Sequence, residues 1–176
     1  MSKKEEPTIT DDPGVFDYTC ITFRADLKRF RMESLDNDIV ALFTKRAYDM
    51  AGVSDRRVQV KLNGKLLQIK DFKDYCDLYL NAEEHKELPK IVEQKSDRWE
   101  VICSLSDGAF QQVSFVNSIC TSKGGTHVQY IADQIVNKLM EKVMKKNKKL
   151  NIKPHQIKAN LWVFVNCLIE NPAFDS

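Results

Sequence analysis

Leu161–Ile169 reads LWVFVNCLI, a run that is apolar at nearly every position. A strand with one wet face alternates apolar and polar residues, so this unbroken run is read as a strand buried on both faces. Just before it, Pro154 opens a short helix, PHQIKAN, in the first-turn position that proline tolerates. Further upstream, Val128, Ile131, Ala132, Ile135, Val136, Leu139, Met140 and Val143 recur at three- and four-residue steps and predict a long helix. Its last turn is lysine-rich, which suits the negative end of a helix dipole.

Ahead of that helix, Arg98–Ser106 (RWEVICSLS) and Ala109–Asn117 (AFQQVSFVN) flank Asp107-Gly108 and read as a hairpin central to a sheet. Trp99, Val101, Cys103 and Leu105 share one face, and Phe110, Val113, Phe115 and Val116 supply apolar surface on the partner. Val58–Leu62 and Lys65–Ile69 flank Asn63-Gly64, a dipeptide suited to two positive-φ turn positions, and predict another hairpin. Tyr18–Phe23 (YTCITF) alternates and predicts a strand. Ser34 is the expected N-cap of a helix carrying Ile39, Leu42, Phe43, Ala47 and Met50, with Gly52 as its C-terminal stop. Asp71–Leu80 reads as a short helix and Asn81–Lys90 as a surface loop. The order is strand, helix, hairpin, helix, hairpin, long helix, short helix, strand. Without regular alternation of strands and helices, that order predicts an α+β sandwich, one sheet packed by a long helix and several short ones.

The 176 residues suffice for one domain with a real core, and 43% hydrophobic with 30% charged residues is ordinary for a soluble globular chain. No apolar run approaches the length of a membrane span, and residues 1–13 (MSKKEEPTITDDP) lack a signal core. Residues 1–17 are read as a disordered lead or the edge of an excised piece, and 18–176 as a single domain. Cysteines 20, 76, 103, 120 and 167 are scattered without a C-x-x-C pair, which suits free thiols in a reducing compartment. His85, His127 and His155 are far apart in sequence, and no ligand spacing supports a metal site.

Two stretches invite a phosphate. SKGGTHV (122–128) places two glycines before a helix but lacks the spacing of either phosphate-loop signature. The ordinary reading is a tight turn in which Gly124 and Gly125 supply positive φ and Thr126 caps the helix. Lys123 and His127 keep a possible coupling role. The second stretch lies between Lys138 and Lys158, where eight lysines (138, 142, 145, 146, 148, 149, 153, 158) face only Glu141. That segment carries +7, so the rest of a chain with net charge +2 carries −5. Such segregation favours a local polyanion contact over a plain solvated helix end. Asp107, Asp133 and Glu100 form no recognisable catalytic pair. Trp99, Trp162 and Phe164 lie on apolar strand runs and read as core rather than as base-stacking platforms.

FQQVSFVNSI-x-TSKGGTHVQYIADQIV followed by HQIK-x-x-LWVFVN-x-LIENPAFDS resembles the transducer region of eukaryotic type IIA DNA topoisomerases. DYTCITF, SLDNDIVAL, RRVQVKLNGK and DFKDYCDLYL are similar to that region in the same order, so the resemblance covers Asp17 to Ser176. GGTH before a helix is also similar to bacterial gyrase. The resemblance implies a fold like ribosomal protein S5 domain 2, with a left-handed crossover opposite to the usual hand. It implies a module that follows an ATP-binding domain of the gyrase/Hsp90 type and relays nucleotide state to the DNA-cleaving core. It also implies a nuclear parent enzyme that is a homodimer using ATP and Mg2+. The family's magnesium-holding Asn, water-activating Glu, Gly-rich lid and catalytic tyrosine have no counterpart here, and the family's Gln-Thr-Lys switch follows the motif at which this chain stops. An excised piece is therefore expected to be inactive and monomeric, to hold no catalytic residue, cofactor or metal, and to contact no membrane. Its expected partners are double-stranded DNA and the ATP-binding domain and cleavage core of the same parent chain. The resemblance places a DNA-touching lysine loop at Lys142, Lys145, Lys146, Lys148 and Lys149, with Met144 where the family often has the first of three lysines. The contrasting reading is a free-standing S5-like nucleic-acid-binding module.

Overall fold

A computed structural model describes residues 6–9, 14, 18–81, 88–146 and 151–174. The chain divides into two compact units, Met1–Asp36 and Asn37–Ser176. In the first unit, a 3-10 helix spans Leu27–Phe30, and the Asp26 side chain accepts from the Arg29 N–H at 3.4 Å. The strand predicted at Tyr18–Phe23 is not formed, and Tyr18, Ile21 and Phe23 are exposed. Alternation marks a segment that could face a sheet; it does not provide a neighbour, and no described strand pairs with it.

The second unit runs α1 (Asn37–Val53), β1 (Lys61–Leu62), β2 (Lys65–Leu66), α2 (Phe72–Leu80), β3 (Lys90–Ser96), β4 (Trp99–Leu105), β5 (Gln111–Val116), β6 (Ile119–Cys120), α3 (Thr126–Lys146), α4 (Pro154–Lys158) and β7 (Leu161–Cys167). The small hairpin forms as expected, with Asn63 at φ 49° and Gly64 at φ 79° between β1 and β2. Asp71 caps α2, its carboxylate accepting from the Asp74 N–H at 2.9 Å.

The five-stranded sheet has the order β3-β4-β7-β5-β6. β7 is therefore the middle strand, antiparallel to β4 (Trp99↔Cys167 through Leu105↔Leu161) and parallel to β5 (Gln111↔Trp162 through Val116↔Cys167). This corrects the hairpin expected around Asp107-Gly108. Gly108 does turn the chain with φ 99°, but Asp107 lacks the positive φ that a two-residue hairpin turn needs. The connection instead passes the start of β7, where the Ser106 N–H and hydroxyl donate to the Asn160 and Ala159 carbonyls at 3.1 and 2.9 Å. A strand apolar on both faces gains most in the middle of a sheet, where two neighbours and two layers cover it.

Side-chain alternation along β7 feeds two cores. Phe164 joins Phe72, Tyr75, Cys76, Leu80, Ile102 and Phe115 in the core that contains α2. Leu161, Val163, Val165 and Cys167 join Val116 and Val136 in the other, beneath α3 and α4. Each fully buried Phe, Leu or Val contributes about 1.5–3 kcal/mol of transfer free energy. Trp162 stacks on Phe164 with centroids 5.3 Å apart, so these rings are structural.

Three further expectations need correction. α1 begins at Asn37, after Ser34, and Gly52 lies inside it rather than stopping it. Gly52 is needed for packing, since a Cβ there would lie 2.5 Å from Tyr75 Cβ and Cγ. Leu42 and Phe43 of its apolar stripe are exposed, while Asp49 is buried. β3 and β6 were not anticipated. Lys90, assigned to the loop, opens β3, and residues 82–87 of that loop lie outside the described residues.

Candidate nucleic-acid interface and the glycine turn

α3 is the element that relates the two phosphate-suggestive stretches. Its 21 residues place its ends about 30 Å apart at 1.5 Å per residue, so the glycine turn and the lysines form no common site.

At the start of α3, Gly124 and Gly125 have φ of 75° and 153°, and the Gly124 N–H donates to the Thr121 carbonyl at 2.8 Å. Gln112 reaches in from β5 and donates through Nε2 to the Thr121 and Ser122 carbonyls at 3.3 and 3.0 Å. A Cβ on Gly125 would lie 2.9 Å from His127 Cε1, so the imidazole fills the space that the glycine leaves. The buried His127 shares a hydrogen bond with Thr121 Oγ1 at 3.0 Å, and Thr121 Oγ1 in turn contacts the Ser114 hydroxyl. Burial pushes the His127 imidazole below its usual range. Thr126 is the first helical residue, and the Gly125 carbonyl accepts from Gln129 N–H at 3.1 Å, so the capping backbone is glycine's and not threonine's. Lys123 is exposed beside the turn. A phosphate needs amides that point outward and are free; this turn directs Gly124 N–H inward and seats a ring under Gly125, so it does not fit one. Among the described residues no three His, Cys, Asp or Glu side chains are grouped to hold a metal.

At the far end, Lys142, Lys145 and Lys146 are exposed on the last two turns of α3. Lys148 and Lys149 lie outside the described residues. Other members of the basic segment are engaged. Lys158 donates to Gln129 Oε1 at 2.7 Å and lies 5.0 Å from the Phe110 ring centroid, so it ties α4 to α3. Lys138 pairs with Glu141 at 3.7 Å on the surface. At Lys153 only the backbone is so used: its N–H donates to Gln156 Oε1 at 2.8 Å at the start of α4, and the residue is exposed. Among the described residues, Lys142, Lys145 and Lys146 gather at the end of α3, with Lys153 exposed just before α4.

A polar cluster between α1 and α2 escaped sequence reasoning. Asp49 accepts from Lys45 Nζ at 2.8 Å and from the Tyr75 hydroxyl at 2.7 Å, and Tyr75 contacts the Tyr79 hydroxyl at 2.8 Å. Burial first, then the bonds to Tyr79 and Asp49, drive the Tyr75 phenol upward. For Lys45, burial is the largest effect and opposes the charge, but the Asp49 hydrogen bond and the attraction of Tyr79, Asp49 and Cys120 together outweigh it, and the pKa rises. The available signal was a carboxylate on the inward side of α1 with a lysine four residues before it. The five cysteines are free; burial raises the thiols of Cys76, Cys103 and Cys120, and that of Cys167 to about 11.

The family model described as DNA gyrase B matches residues 71–176. The chain belongs to the DNA gyrase B family. Over its full length it is 53% identical to DNA topoisomerase 2 of Arabidopsis thaliana and 54% identical to DNA topoisomerase 2-beta of Homo sapiens. It spans only 12% and 11% of those two relatives. The ATPase region of Saccharomyces cerevisiae topoisomerase II superposes with a TM-score of 0.75 at 50% identity, covering 86% of this chain and 38% of that one. The ATPase and transducer domains of DNA topoisomerase II from Balamuthia mandrillaris give 0.79 at 40% identity, covering 88% and 38%. The gyrase B-subunit of Myxococcus xanthus, 19% identical with a TM-score of 0.51, shares the fold. In this gyrase B-family chain no described helix is long and apolar enough to cross a membrane.

Proposed function

We infer that residues 18–176 are the transducer module of an ATP-hydrolysing type IIA DNA topoisomerase, an isomerase acting in the nucleus. The observation that carries this reading is the full-length identity to proteins named DNA topoisomerase 2, together with the structural match to topoisomerase II ATPase regions. The parallel β5–β7 pair, joined through α3 and α4, supports the finer assignment to the ribosomal protein S5 domain 2 type with its crossover unit. On this reading ATP and Mg2+ are handled by another part of a homodimeric parent, and no step of that chemistry runs through this chain's residues. This piece is a monomer by itself and lacks turnover.

Its mechanical role follows from α3. The helix is bedded on the sheet through Val128, Ala132 and Val136, while its end projects exposed lysines. Movement of the sheet is thus passed to the basic end by a rigid rod. The glycine turn with Lys123, Gly124, Gly125, Thr126 and His127 sets the rod's direction. Lys142, Lys145, Lys146, Lys148 and Lys149 meet the phosphates of double-stranded DNA, a contact that is independent of sequence and steeply dependent on salt.

The test is a duplex titration across a salt series with the wild type and with Lys145, Lys146, Lys148 and Lys149 all changed to Gln. Each phosphate contact contributes about 0.9 to the slope of log K against log salt, so the variant should lose about 3 to 4 units of slope. An unchanged slope and affinity would remove the lysine end from the DNA contact.

A further inference from the structure

The chain leaves the central strand β7 through a grip formed by both neighbouring strands. On the β4 side, the Leu168 N–H donates to the Arg98 carbonyl at 2.9 Å. Arg98 returns Nε to the Leu168 carbonyl at 3.3 Å and Nη1 to the Glu170 carboxylate at 2.6 Å. On the β5 side, the Asn117 N–H donates to the Cys167 carbonyl at 2.9 Å. The Asn117 side chain then holds both backbone groups of Ile169. Oδ1 accepts from the Ile169 N–H and Nδ2 donates to the Ile169 carbonyl, each at 2.9 Å.

Asn117 and Ser118 are the two residues between β5 and β6, with φ of 49° and 64°. Such a turn favours glycine at its second position, so serine there is strained and is held by its surroundings. One such hold comes from α1, where Arg46 Nη2 donates to the Ser118 carbonyl at 2.9 Å. A short series of hydrogen bonds therefore runs from α1 through the strained turn to the backbone of Ile169, immediately before residues 170–174.

We propose that Asn117 is a positioning residue that fixes the course of the chain leaving β7, and that Arg46 makes this course depend on the position of α1. The use of this clamp in relaying rests on the transducer reading; the clamp itself stands on the geometry. Two-site dependence of this kind is shown by coupling, not by proximity.

Amide hydrogen exchange of the whole chain reads the clamp directly. Asn117→Gly removes the side chain while suiting positive φ, and should speed exchange at Ile169 about tenfold, as loss of one such bond would. Amides of Val163 and Val165 within β7 should keep their protection. Asn117→Asp retains an acceptor for the Ile169 N–H and should stay within about twofold of wild type. Arg46→Ala should also speed Ile169 exchange, and the double variant R46A/N117G should be no faster than N117G alone. Normal Ile169 protection in N117G, or an R46A effect that adds in full to that of N117G, would overturn the proposal. Duplex binding and its salt slope should be the same in N117G and wild type, so this test and the lysine test fail independently.

Discussion

Replacing Gly52 with alanine separates two accounts of one residue. Read from the sequence, Gly52 ends a helix; in the fold it lies within α1, against Tyr75. The added Cβ would meet Tyr75 Cβ and Cγ at 2.5 Å and Cδ2 at 2.9 Å. These are stem atoms of a side chain that is 1% exposed, so a rotamer change of its far end gives no relief. Overpacking of this kind costs about 1–3 kcal/mol, and contact with stem atoms puts the cost toward the upper end. Alanine within a helix returns about 1 kcal/mol relative to glycine. The net expectation is destabilisation by about 2 kcal/mol, which lowers Tm by about 4–8 °C for a chain of this size. Urea unfolding followed by circular dichroism, with the slope checked for constancy, measures it. Stability equal to or above that of wild type would show that Gly52 is not placed by Tyr75, and the packing of α1 on α2 would need to be redrawn.

Other substitutions address the polar interior and the turns. Tyr75→Phe removes the hydroxyl that donates to the buried Asp49 carboxylate, and should cost about 1–3 kcal/mol, visible as a lower urea midpoint. Ser118→Gly relieves a left-handed serine while leaving the Arg46 bond to the backbone, and should stabilise by about 0.4–1 kcal/mol in the same assay. His127 is held neutral by burial, so the unfolded chain binds its proton more readily than the fold does. Its contribution to stability is therefore complete above the unfolded value of about 6.5 and is lost as pH falls below it, down to the lowered folded value. A His127→Gln variant should show a flatter dependence of unfolding free energy between pH 7 and 5 (about that range) than wild type.

The elements that sequence foretold well are those whose cause is local. Asn63-Gly64 specifies its own turn, Asp71–Leu80 its own short helix, and Pro154 its own helix start. The apolar stripe from Val128 to Met140 found α3, and LWVFVNCLI announced a strand covered on both faces. The lysine end of α3 was equally visible as a charge segregation. What was not legible is partner choice. Period-two alternation tells which face a side chain takes, but it is silent on which strand lies alongside. β7 therefore separated β4 from β5, although Asp107-Gly108 looked like a hairpin, because central burial of an all-apolar strand outweighs a local turn preference. Tyr18–Phe23 shows the same limit, with the pattern of a strand and no described neighbour.

The candidate sites divide along the same line. By itself the sequence determined that lysines are segregated into one stretch and that the spacing of SKGGTHV disfavours a nucleotide loop, since residue type and interval are local properties. Only the tertiary structure decided that His127 fills the glycine turn, that Lys158 is tied to Gln129 and Phe110, and that Asp49 is buried against Tyr75. It alone brought Arg46, Asn117 and Arg98 to the end of β7. Those relations join residues up to 72 positions apart, and long-range contacts are selected by global competition for burial and hydrogen bonds, which no short window of sequence contains.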